Sequence, residues 1–168
     1  MTTSKKTSRK KLVQPAREMG SAQDYPALLA EVKARIQSAQ YTALRAVNKE
    51  LVGLYWDIGR LIVERQQREG WGKGVVEQLS ADLRTAFPGI AGFSASNLWR
   101  MKGFFETYSD AIKLAPLVRE IGWAHNLRIL ERCTDMQERE FYLRMTRKFG
   151  WSKNVLIHQI DNQSYEKS

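Results

Sequence analysis

A chain of 168 residues, 43% of them apolar and with five tryptophans, is long enough to bury one core and carry tails. Its net charge of +9 and pI near 9.8 suit a polyanionic partner, a statement about partners and solubility that carries no information on fold. No run of ~18 apolar residues is present and the basic N-terminus is not followed by an apolar segment, which speaks against a membrane span or a secretory signal. The lone Cys133 excludes an intramolecular disulfide and fits a reducing compartment, so a cytoplasmic location is expected and Cys133 is read as a small buried hydrophobe.

Residues 1–22 read as a disordered basic tail, with Lys5, Lys6, Arg9, Lys10 and Lys11 and no acid in the first eleven positions. Setting those five cations aside leaves only +4 for the rest. From Pro26 the apolar residues Leu29, Val32, Ile36, Ala39, Ala43, Val47, Leu51, Leu54, Ile58 and Leu61 advance in steps of three or four without a change of phase. This predicts a helix over 26–68, capped near Asp24, with Gly53 and Gly59 as places where it could break. Such a helix buries a partner chain as readily as its own, so a homo-oligomer through 26–68 is an open alternative. The glycines of Gly70-Trp71-Gly72-Lys73-Gly74 follow no strand and lack a Gly-Lys-Ser/Thr signature, so they read as a reversal and not as a phosphate loop.

A helix over 74–86 follows, with Val75, Val76, Leu79, Leu83 and Ala86 on one side, ended by Phe87-Pro88-Gly89. A second opens at Ser94, an N-cap, and carries Leu98, Met101, Phe105 and Tyr108 inward to position 108. Ser96, Arg100, Gly103 and Thr107 face away, with Asn97 and Trp99 at the margins. The pair is helix-turn-helix-like, although its turn is longer than the usual three or four residues. Residues 109–116 read as a connector, and 123–132 as a helix with Leu127 and Leu130 inward. Asp135-Met136-Gln137-Glu138 resembles a capping box opening a helix with Phe141, Tyr142, Met145 and Phe149 on its apolar side, closed by Gly150. Ser152 caps a last helix with Val155, Leu156 and Ile160 inward. No alternating pattern persists, so the fold class is all-α: a long N-terminal helix, a helix-turn-helix-like pair and a C-terminal group of short helices.

No catalytic centre, cofactor or metal site is legible. His125 and His158 are far apart with no further ligands at metal spacing, and His125 reads as packing beside Trp123 or capping a helix. Glu31-Val32-Lys33 matches the bare Glu-x-Lys of metal nucleases but sits on the long helix instead of a strand. The candidate DNA contacts are Ser96 and Arg100 on the exposed side of the second helix of the pair with Asn97 at its margin, the cations Arg144, Arg147 and Lys148, and the N-terminal Lys5, Lys6, Arg9, Lys10 and Lys11.

Nine motifs in order over residues 25–165 carry a resemblance. They are Asn48-x-x-Leu51, Tyr55-Trp56-x-x-Gly59, Trp71-Gly72, Leu79-x-x-Asp82-Leu83, Phe87-Pro88, Gly92-Phe93-Ser94-x-x-Asn97-Leu98-x-x-Met101, Trp123-x-His125-Asn126, Phe141-Tyr142 and Gly150-Trp151-Ser152. The sequence resembles the N-terminal domain of YhcG-like proteins. The resemblance implies one helical domain over 23–165, regarded as DNA-binding, that precedes a PDDEXK-type nuclease domain in longer relatives and serves DNA metabolism or defence. The chain reaches Ser168 without the strand-borne Asp and Glu-x-Lys that such a nuclease would use to hold Mg²⁺, so no nuclease activity is expected of it. Two readings compete: a DNA-binding accessory domain that positions a nuclease, and a helical dimerisation or docking module without DNA readout. A single continuous surface of Arg100, Arg144, Arg147 and Lys148 favours the first, and scattered placement the second.

Overall fold

A computed structural model describes residues 24–70 and 72–168. The tail cations Lys5, Lys6, Arg9, Lys10 and Lys11 lie outside the described residues, which form seven helices and no strand. These are α1 (Asp24–Glu69), α2 (Lys73–Ala86), α3 (Ala95–Tyr108), α4 (Ala115–Val118), α5 (Trp123–Arg132), α6 (Met136–Phe149) and α7 (Lys153–Asp161). Two compact units divide the chain, Met1–Tyr41 and Thr42–Ser168. Of the first, the described part is the opening of α1, where every residue is exposed.

In the second unit α1 buries Val52, Tyr55, Trp56, Gly59 and Ile62, residues three or four apart on one face. This is not the stripe that dominates the sequence, because Val47, Leu51, Leu54 and Leu61 all remain exposed. Neither Gly53 nor Gly59 breaks the helix. Gly59 serves close approach instead: a Cβ there would collide with the Met101 carbonyl of α3.

Around this face lie two packed clusters. One joins Tyr55, Ile62, Val76, Phe93, Leu98 and Met101, uniting α1, α2 and α3. The other gathers Val52, Trp56, Phe104 and Tyr108 with Leu117, Val118, Ile129, Tyr142, Leu143 and Leu156 of the later helices. Edge-to-face rings tie them together, Trp56 to Phe104 at 5.5 Å, Phe104 to Trp123 at 5.1 Å and Tyr55 to Trp123 at 5.0 Å between centroids.

The helix ends follow local chemistry. Ser94, Asp135 and Ser152 accept hydrogen bonds from the backbone N–H groups of Asn97, Gln137 and Val155. Gly150 closes α6 in the left-handed region at φ 61°. Several inward positions differ from the sequence reading. Phe104 is fully buried while Phe105 is half-buried, Asn126 and Ile129 take the inner line of α5 ahead of Leu127 and Leu130, and Leu143 and Thr146 are inside while Phe149 is exposed. The expected connector gives way to α4, which begins inside it at Ala115 and runs past its end, where Leu117 and Val118 join the second cluster. Cys133 is fully buried, and desolvation pushes its thiol up to about 12.

Candidate nucleic-acid interface

Each residue expected to touch DNA has a definite place. Ser96 is exposed at the start of α3, its Oγ 3.4 Å from that of Ser94. Asn97 is buried, and both ends of its amide are committed. Its Nδ2 donates to the Gly92 carbonyl at 2.7 Å, and its Oδ1 accepts from Trp123 Nε1 at 3.0 Å. Gly92 itself has φ 106°, and a Cβ there would meet the Tyr55 hydroxyl. Ser80 Oγ donates to the neighbouring Phe93 carbonyl at 2.6 Å. Asn97 therefore fastens the α2–α3 turn to Trp123 and offers no polar atom outward. Arg100 is exposed and lines a concavity of about 210 Å³ with Gly103, Thr107, Leu130, Glu131 and Arg139.

The other cations gather elsewhere. Arg144, Arg147 and Lys148 of α6 converge with Arg45 of α1 and with Leu117 around a concavity of about 360 Å³. Helical spacing explains the α6 contribution, since residues three and four apart share a side. Glu120 fixes the meeting point: its Oε2 takes Arg45 Nη2 at 3.4 Å and is paired with Arg147 Nε. Arg144 is held on α6 by Glu140 at 2.8 Å, and Lys148 Nζ lies 5.2 Å from the Phe149 ring, which stacks on Trp151. Glu120 itself lines a separate concavity of about 450 Å³, with Lys49, Arg119 and Pro116 among others. Arg119 lies over the Trp56 ring at 5.8 Å, and its Nε is buried without a hydrogen-bond partner.

Six cations, Arg45, Lys49, Arg119, Arg144, Arg147 and Lys148, thus border two concavities linked by Glu120, which lines the second and pairs with Arg45 and Arg147 of the first, with Glu140 on Arg144 as the other adjoining carboxylate. Guanidinium groups aimed into a concavity are suited to phosphate oxygens, which they can meet with paired N–H donors. Sequence reasoning found the α6 cations and missed Arg45, Lys49 and Arg119. Arg100 is not part of this lining, so the four cations expected on one surface divide: Arg144, Arg147 and Lys148 stand together, and Arg100 borders a separate concavity.

Among the described residues no group of three or more His, Cys, Asp or Glu side chains could hold a metal ion, and no helix is long and apolar enough to cross a membrane. His125 is structural, its Nε2 hydrogen-bonded to the Trp151 carbonyl at 2.7 Å.

This helical arrangement has a family. Residues 31–167 match the DUF1016 N-terminal domain, and the chain belongs to that family of nuclease-associated domains. It is also 28% identical over 170 residues to the protein named "Putative nuclease YhcG" of Escherichia coli K12, covering 79% of this chain and 44% of that protein. The chain therefore spans less than half the length of this relative. No solved structure matches it.

Proposed function

We propose that the chain is a DNA-binding accessory domain that positions a YhcG-like nuclease, and that it grips the phosphate backbone through the face bordered by Arg45, Lys49, Arg119, Arg144, Arg147 and Lys148. The observation that carries this reading is the convergence of Arg45 with Arg144, Arg147 and Lys148, about a hundred positions apart in sequence, on one concavity. The name of the Escherichia coli relative supports the association with a nuclease. Lys5, Lys6, Arg9, Lys10 and Lys11 would add affinity without sequence readout. Arg100 and Ser96 remain candidates for a separate contact, and Asn97 is set aside because its amide is committed inside.

The test is a salt-dependent titration with duplex and single-stranded DNA on the whole chain, on a variant lacking residues 1–22, and on Arg144→Ala/Arg147→Ala/Lys148→Ala. Removing one phosphate-binding cation should lower the duplex salt slope by about one, so the triple variant should show a slope smaller by about two to three. Unchanged slope and affinity in the triple variant, with binding abolished by removal of the tail, would leave the tail as the DNA contact.

A second reading, docking on a protein without DNA readout, is favoured by a different observation. Much of the apolar surface of α1 is exposed. A chain that binds no DNA at low salt, with or without its tail, supports that reading over the first.

A further inference from the structure

The inner line of α6, Tyr142, Leu143 and Thr146, stops a turn before the helix does, and the last helical residue is an aromatic that the core does not claim. Phe149 is 58% exposed, and its ring lies 5.9 Å from that of Trp151, 20° from parallel. The local chain holds the lower ring of this stack in place. Gly150 at φ 61° reverses the backbone, the Trp151 N–H donates to the Thr146 carbonyl at 3.3 Å, and the Trp151 carbonyl is hydrogen-bonded to His125 Nε2. The indole packs against the second cluster, so Phe149 rests on a fixed ring and turns its other face to solvent. Beyond residue 41 the other exposed aromatic ring among the described residues is Phe87, which is tilted at 53° to Phe93.

We infer that Phe149 is a stacking platform for an unpaired base and that the basic face beside it takes single-stranded DNA. The inference rests on the phosphate-binding reading of that face and names its substrate class. Lys148 joins the two features. It lines the concavity with Arg45, Arg144 and Arg147, and its Nζ lies 5.2 Å from the centroid of the Phe149 ring.

A nucleotide has the same two parts, an anionic phosphate and a flat π-face. Cations that follow the backbone beside an aromatic ring that receives a base are the combination by which single strands are held without sequence readout. Inside a duplex both faces of a base are covered by its neighbours, so only an unpaired base has a face to give. The Lys148 ammonium sits over the ring through a weak attraction and on a flexible stem, so it can move to a phosphate as a base takes its place.

The test measures binding of the full chain to a single strand of about twelve nucleotides carrying 2-aminopurine, to an abasic strand of that length and to a duplex of that length. The proteins are the parent, Phe149→Ala, Phe149→Leu, Phe149→Tyr and, for the cations, Arg144→Ala/Arg147→Ala. Phe149→Ala should weaken binding of the base-bearing strand by roughly five- to a hundredfold and abolish the quenching of 2-aminopurine that stacking causes. Its salt slope should stay parental, and its affinity for the duplex and the abasic strand should stay within about twofold of the parent. Phe149→Tyr should bind like the parent, and Phe149→Leu, which keeps apolar bulk without a π-face, should bind like Phe149→Ala. That last pair decides the matter even if the alanine variant melts early.

Arg144→Ala/Arg147→Ala reports on the phosphate face by itself and should lower the salt slope by about one to two on the base-bearing strand, the abasic strand and the duplex. If it does so while Phe149→Ala binds the base-bearing strand as the parent does, the basic face stands and the stacking platform is overturned. Equal losses on base-bearing and abasic strands, or full binding by Phe149→Leu, also overturn it. A parent that binds none of the three removes both readings.

Discussion

Replacing Asn97 by alanine separates a structural amide from a DNA-reading one. In the fold Asn97 bridges the Gly92 carbonyl, at 2.7 Å, to the Trp123 indole, at 3.0 Å. Trp123 in turn meets Tyr55 and Phe104 edge-to-face. Asn97→Ala removes both hydrogen bonds and strands a carbonyl and an indole N–H in a largely water-free setting. At ~1–3 kcal/mol for each orphaned group, with partial recovery where water can enter, the loss of stability should be roughly 2–4 kcal/mol. For a domain of this size that is about 5–15 °C in melting temperature. Urea titration followed by tryptophan fluorescence reads the change directly, and DNA affinity measured well below the midpoint should match the parent. A variant as stable as the parent to within ~0.5 kcal/mol, with DNA binding weakened tenfold, would refute the structural role and return Asn97 to the interface.

Gly59→Ala should destabilise the chain by about 1–3 kcal/mol in the same urea assay, because the added methyl would meet the Met101 carbonyl and push α1 off α3. Glu120→Gln should raise affinity for duplex DNA several-fold at low salt, since it removes the negative charge that Arg45 and Arg147 share; a decrease would show that Glu120 chiefly orients them. The Cys133 thiol is raised in the fold from 9.0 to about 12 by burial, and Tyr108 is raised by the same cause. The folded state therefore holds protons that the unfolded chain releases, so stability is intact below pH ~9 and falls as pH rises from ~9 through ~12. Melts across that range check the sign, and Cys133→Ala should flatten the dependence.

What was legible in the sequence was legible because it is local. Ser94, Asp135 and Ser152 cap helices at the positions their spacing implies, and Gly150 ends α6 where only an easily reached positive φ serves. All-α architecture followed from unbroken periods of three and four. The inward faces were harder, because α1 has two apolar faces. Its stripe through Val47 and Leu54 is the more regular in sequence, yet Val52, Tyr55, Trp56, Gly59 and Ile62 make the core, and a glycine among aromatics carries little periodic signal. Pro116 read as a connector, although near a helix start proline costs no hydrogen bond, and α4 begins there. The Arg45–Glu120–Arg147 contact had no sequence signal at all. A cation on a long helix looks solvated until the fold brings a distant carboxylate to it.

The residues that carry the family resemblance, Tyr55, Trp56, Gly59, Gly92, Asn97 and Trp123, build the core and its hydrogen bonds, whereas the cations of the proposed interface stand outside those motifs.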